Sequence, residues 1–192
     1  HNVQPPKFKY FPTVNRKNIK GSSVIIICLP TPLNKIGNPN LNILNKELIN
    51  IYKVIENNCL LIFDEIQTGF GRCGTLFAFE QFDVVPDILL LAKAMGGGLP
   101  IGAFVASNDL MKQLSFNPAL GHINTFGGNA LCVEAARATF ELILEQKLFL
   151  RAREIETIIL KKLIHPKIKE VRCYGALCAI DFKDENLNRL IN

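Results

Sequence analysis

Two ionisable residues close apolar runs in this 192-residue chain: Asp64 ends "CLLIFD", and Lys93 ends "DILLLAK", 29 positions later. Lysine is among the residues least often buried, and the triple glycine that follows at 96–98 is costly to order. One explanation is a buried Asp–Lys ion pair. The other is chemical. At the dry edge of a sheet, desolvation disfavours the ammonium form, and a neutral amine attacks carbonyls.

The glycines bear on that choice. "TGFGRCG" (68–74) and "GGG" (96–98) let the backbone approach something closely. They are not a nucleotide fingerprint. G-x-G-x-x-G fails because position 101 is Ile, and no Gly precedes Lys-Ser or Lys-Thr as a phosphate-binding loop requires. Pyridoxal phosphate chemistry does use such a pair: an amine for the aldehyde, and an acid that keeps the pyridine nitrogen protonated. "NTFGGN" (124–129) leads into a helix whose N-terminus suits a phosphate, although Thr or Asn there also serves as an ordinary cap.

The elements that must position these groups alternate. "SVIIICL" (23–29) and "CLLIFDE" (59–65) read as strands buried on both faces, as in parallel sheets. "LNKELINIYKVIENN" (44–58) between them has helical spacing. "PDILLLAK" (86–93) gives a third strand after a short helix near 75–82, and "IGAFVAS" (101–107) gives a fourth. Helices follow over 129–147, with Leu131, Ala135, Ala138 and Leu142 on one side, and over about 148–163. "IKEVRCYGALCAIDF" (168–182) then reads as a pair of strands. Strand–helix alternation indicates an α/β fold, whose ligands sit at the carboxyl ends of the strands. Asp64 and Lys93 both fall there.

Composition sets the outer limits. Hydrophobic residues make up 48% of the chain, which indicates a folded globule. The net charge of +5 comes with scattered basic residues rather than a basic-aromatic face, so nucleic-acid binding is not expected. The six cysteines include no C-x-x-C pair and the three histidines are far apart; neither zinc nor a disulfide framework is expected. Reduced thiols fit a cytoplasmic protein. The longest apolar run is too short to span a bilayer.

The block "LLIFDEIQTGFGRCGTLFAFEQFDVVPDILLLAKAMGGGLPIGAF" (60–104) resembles the signature of class III pyridoxal-phosphate aminotransferases. The group it resembles handles ornithine, N-acetylornithine or 4-aminobutyrate. The Asp64–Lys93 interval, the D-E-I-Q-T-G-x-G-R-x-G run, the P-D-I before the lysine and the later T-F-G-G-N all match. The resemblance implies fold type I, with a mainly parallel sheet. Residues 1–147 would form part of the large cofactor domain, and 148–192 the beginning of a small α+β domain. It implies a homodimer that uses pyridoxal phosphate to exchange an amino group between an ω-amino donor and 2-oxoglutarate.

By the same resemblance, Lys93 holds the cofactor aldehyde and shuttles a proton, and Asp64 pairs with the ring nitrogen. Ile66 packs on a ring face and Gln67 hydrogen-bonds near the phenolic oxygen. Thr125 touches the phosphate, often that of the partner subunit. Plainer roles stand beside these: core for Ile66, loop capping for Gln67 and Thr125, structural support for Arg72 and His122.

Several positions depart from the family pattern. Leu29 stands where a glutamate is expected, and no acid occurs from Val24 to Asn45. "VRCYG" (171–175) replaces the usual V-R-G-x-G, and "GGNAL" replaces G-G-N-P-L. The upstream half and the carboxyl-terminal end of such an enzyme are missing, so the chain reads as a fragment. Two alternatives follow: a decayed, non-catalytic remnant, or a related aminomutase. The Gln of "DEIQTG" favours transamination.

Overall fold

The computed structural model describes residues 16–28, 50–51, 59–116, 118–119 and 122–184. Four strands form one sheet in the order β1 (Val24–Cys28), β2 (Leu60–Asp64), β3 (Ile88–Leu91), β4 (Ala103–Ala106). The first three are parallel: Cys28 stands beside Asp64, and Asp64 beside Leu90. β4 returns antiparallel, with Leu91 opposite Ala103. Asp87 locks the start of β3 to β2, because its carboxylate accepts the Leu61 N–H at 2.8 Å. The helix expected at 44–58 lies almost wholly outside the described residues, of which Asn50 and Ile51 are helical.

The apolar side chains of β2 and β3 alternate in burial. Leu61, Phe63, Leu89 and Leu91 face a core completed by Phe82 and Val84, with Ile25, Ile27, Phe70, Phe77 and Phe79 packed on it. The expectation that β1 is buried on both faces is corrected: Val24 and Ile26 are 50% and 57% exposed. Among the described residues the cover comes from one side only, from the aromatic segment 70–84. Burying a Leu or Phe stabilises by about 1.5–3 kcal/mol, so this face anchors the sheet. The short helix expected near 75–82 is a single 3-10 turn at Ala78–Gln81.

Helix α1 (Asn108–Gln113) follows β4, and its cap Ser107 accepts the Leu110 N–H. Helix α2 (Ala130–Glu145) is capped by Asn129, whose side chain accepts the Cys132 N–H at 3.2 Å. Its buried residues are Ala136 and Ile143. The face anticipated from spacing is therefore rotated: Leu131 is 69% exposed and Leu142 46%. What decides the face is contact with the turn after β3 on one side and Phe70 on the other, where Phe140 meets Phe70 edge-on. Lys147, at φ 49°, breaks the chain into α3 (Leu148–Lys162).

The expected strand pair is a hairpin, β5 (Ile168–Tyr174) and β6 (Leu177–Phe182), which packs against α3. Its two-residue turn has positive φ at Gly175 and not at Ala176, the pattern of a II′ turn. The turn is fastened from two sides. Ala176 N–H donates to Arg72 O at 2.9 Å, and Gly175 N–H to Glu156 Oε2 at 3.0 Å.

Candidate active site at the carboxyl ends of β2 and β3

Asp64 is the last residue of β2, in register with Leu90 of the adjacent parallel strand β3. Lys93 comes three residues after Leu90. It does not close the strand, as the sequence suggested, but opens a 3-10 turn, Lys93–Gly96. The two groups therefore leave the sheet at one rim, from neighbouring strands. Lys93 holds φ 48°, a left-handed backbone that a non-glycine residue adopts at a cost of order 1–3 kcal/mol. The lysine is exposed, so the dry surroundings anticipated for the amine are not formed by the described residues.

The segment after Asp64 shows why "DEIQTG" takes the shape it does. Asp64 Oδ1 accepts the Ile66 N–H at 3.0 Å, which folds the chain sharply off the strand. Glu65 turns inward and is fully buried. Its Oε2 accepts from the Ala78 N–H at 2.8 Å and the Thr68 hydroxyl at 2.9 Å, and its Oε1 from the Phe79 N–H at 2.6 Å. Burial pushes the Glu65 carboxyl above its usual range, and these bonds recover part of the shift. Glu65 is a positioning residue that the spacing analysis missed. Its signal was an acid next to an apolar strand, where an unpaired charge is not tolerated.

With Glu65 and Thr68 turned inward, Ile66 and Gln67 face outward. They line a cavity of about 300 Å³ together with Arg72, Lys93, Ala94, Ala176, Leu177 and Cys178. Three expected site residues, Lys93, Ile66 and Gln67, thus share one space, and Arg72 joins them. No hydrogen bond or ion pair engages the Gln67, Arg72 or Lys93 side chains among the described residues. Asp64 lies at the same rim but does not line this cavity.

Thr125 stands apart. It is exposed in the turns before α2 and lines no part of the cavity, and Asn129 rather than Thr125 caps the helix. A second space, about 570 Å³ and almost wholly apolar, lies between Met95, Ile101 and α2. Its one charged lining residue, Arg137, is already bound to Glu134 and Glu141. It offers no chemistry of its own.

Comparison with known proteins bears on this arrangement. Residues 45–191 match the family model described as Aminotransferase class-III. Acetylornithine aminotransferase of Methanocaldococcus jannaschii is 36% identical over 195 residues, covering 93% of this chain and 46% of that protein. The acetylornithine aminotransferase of Methanosarcina acetivorans is 44% identical over 132 residues, 67% of this chain and 32% of that protein. Among solved structures, ornithine aminotransferase from Plasmodium yoelii superposes with a TM-score of 0.67 at 31% identity, covering 92% of this chain and 48% of the other. Acetylornithine aminotransferase from Elizabethkingia anophelis gives 0.63 at 32% identity, covering 88% and 43%. The chain spans less than half the length of these relatives. Its mixed α/β architecture with a mainly parallel sheet is that of fold type I, and the chain belongs to the class III aminotransferase family.

Proposed function

We propose that the whole protein is a pyridoxal-phosphate-dependent aminotransferase. Its amino donor is of the ornithine or N-acetylornithine type, and its acceptor is 2-oxoglutarate. The observation that carries this reading is the convergence of Lys93, Ile66, Gln67 and Arg72 on one cavity at the rim that Asp64 also reaches. The donor class is supported by the names of the most similar relatives.

The residues present fit the cofactor. Lys93 offers an amine with no hydrogen-bond or ion-pair partner among the described residues, at the start of a strained turn and on the wall of the cavity. Asp64 spends Oδ1 on the Ile66 N–H, and no further hydrogen bond to its carboxylate occurs among the described residues. Ile66 supplies an apolar surface. When bound, pyridoxal phosphate supplies an electron-accepting ring that stabilises charge at a substrate carbon.

The chain's own contributions follow. With the cofactor bound, Asp64 would hold a proton at the ring nitrogen, and Lys93 Nζ would be the amine that holds the aldehyde and carries a proton. Gln67 would donate to the ring oxygen, and Ile66 would offer the ring an apolar surface. Arg72 places a cation at the cavity wall, where an anionic phosphate or carboxylate is favoured. Thr125 reaches the phosphate of a second copy, in keeping with its exposed place outside the cavity. That assignment makes the working unit a homodimer. The division into a cofactor domain to residue 147 and a small domain from residue 148 belongs to the same proposal, as does a cytoplasmic location. No helix among the described residues is long and apolar enough to cross a membrane.

Titration with pyridoxal phosphate tests the reading. The protein develops the absorbance band of a bound cofactor and Lys93→Ala does not; ornithine or N-acetylornithine then discharges the band, and 2-oxoglutarate restores it. Equal bands in both proteins overturn the lysine assignment. Binding without discharge by either donor supports the non-catalytic remnant.

A further inference from the structure

Cys173 and Cys178 stand opposite each other across the β5–β6 hairpin. The two-residue turn is closed by Tyr174 and Leu177, the hydrogen-bonded pair next to it. Pairs alternate along an antiparallel ladder, so Cys173–Cys178 is a non-hydrogen-bonded pair, the kind whose Cα atoms come within about 4.5 Å. A disulfide spans Cα distances of about 4.4–6.8 Å. Both side chains are on the same face of the hairpin, where Cys178 Sγ donates to Gly175 O at 3.9 Å. Among the six cysteines, all free thiols, no other pair stands in strand register.

The two thiols are unequal. Cys173 is 2% exposed, whereas Cys178 is half-buried and lines the cavity it shares with Lys93 and Arg72. One sulfur is reachable by a small molecule, and the other is reachable only by its neighbour. Lys93 and Arg72, which line the same cavity as the accessible thiol, favour anionic reagents there.

We propose that Cys173 and Cys178 form a reversible dithiol–disulfide site, oxidised by low-molecular-weight disulfides that enter the Lys93 cavity. Cys178 attacks first. Its sulfur loses a proton and bonds to one sulfur of the reagent, and the other leaves as a thiolate that takes up the proton. Cys173 then attacks the Cys178 sulfur, forms the intramolecular bond and expels the second small thiol. Two protein thiols lose two electrons in total, and the reagent disulfide gains them as two thiols. Burial pushes the Cys173 thiol of the reduced hairpin up to about 12, in keeping with Cys178 as the sulfur that meets the reagent first. The mixed disulfide fills the cavity, and closure onto Cys173 empties it again. The site depends on the hairpin register, not on whether the cavity takes a cofactor.

The test needs no activity. Cleavage after Arg172 and Lys183 releases both cysteines in one peptide, residues 173–183. The protein is incubated with glutathione disulfide, acid-quenched, alkylated, digested and weighed. The expected product is peptide 173–183 lighter by two hydrogens and refractory to alkylation until reduced, with Cys73 alkylated as usual. In Cys173→Ala the glutathione stays on Cys178. In Cys178→Ala, Cys173 remains a free thiol. The proposal is overturned if wild-type peptide 173–183 carries two alkyl groups, if it retains glutathione without the internal bond, or if either cysteine is bridged to Cys73.

Discussion

A Cβ placed on Gly97 would lie 2.2 Å from the Thr139 hydroxyl oxygen, so the turn that carries Lys93 is seated directly on helix α2. Gly97 also holds φ 58°, the left-handed region. The middle glycine of the three after the lysine therefore has a mechanical explanation. Gly97 allows the 3-10 turn to lie flush on the helix, and a side chain at that position would push the turn away from Thr139.

Gly97→Ala is accordingly expected to destabilise the protein by about 1–3 kcal/mol, combining overpacking with backbone strain. Urea unfolding measures it. Because the contact is with the Thr139 hydroxyl, Gly97→Ala combined with Thr139→Ala should recover part of the loss. Full additivity of the two substitutions would contradict the contact.

Glu65→Gln should cost about 1–3 kcal/mol, because an amide nitrogen would then face an N–H or hydroxyl donor inside the fold. The pH dependence is specific too. The Glu65 carboxyl is raised by burial, so the folded state binds its proton more tightly than the unfolded chain. This group's contribution to stability therefore grows as pH falls from its native value toward the ordinary value of 4.5, and is smallest at neutral pH. Unfolding curves at pH 7 and pH 5 should show a gap between wild type and Glu65→Gln that is wider at pH 5.

Gln81 joins the hairpin to the aromatic segment. Its Oε1 accepts from the Tyr174 hydroxyl and from Arg153 at 3.1 Å, while its Nε2 donates to Thr75 Oγ1 at 2.8 Å. Gln81→Leu leaves the buried Tyr174 hydroxyl and the exposed Arg153 guanidinium without this acceptor. It is expected to cost about 1–3 kcal/mol and to raise hydrogen exchange in β5 and β6 before the sheet is affected.

Gly175→Ala addresses the same junction through the backbone. Its Cβ would meet Arg72 O at 2.6 Å, at φ 60°. The turn must move away from Arg72, opening the cavity wall formed by Ala176–Cys178. Affinity for pyridoxal phosphate should fall several-fold, and more than in Ala176→Gly. The comparison is made by cofactor titration.

Much of this was legible in the sequence because the decisive residues are tied to sheet topology. Asp64 and Lys93 each follow a β-branched or leucine-rich run, and parallel strands deliver their ends to one rim. The hairpin was visible in "CYGALC", where Gly175 marks a turn between alternating runs. Other features depend on contacts that no periodicity encodes. The buried face of α2 was misplaced because Leu131 and Ala136 are equally apolar on paper, and only the Gly97 contact and the Phe70 ring decide which turns inward. Glu65 was missed because its partners, the Ala78 and Phe79 amides, are brought back by a loop. Lys93 lies in a turn rather than a strand because its left-handed φ is a tertiary outcome.

The account rests most heavily on Lys93 as the amine that takes the cofactor. Pyridoxal phosphate is added, the complex is reduced with borohydride, and the tryptic peptides are mapped. The phosphopyridoxyl group is predicted on Lys93, blocking cleavage there so that the labelled peptide runs on to Lys112, with Asp64→Asn sharply reducing the yield. Label concentrated on a different lysine, or spread evenly over the surface lysines, would contradict it.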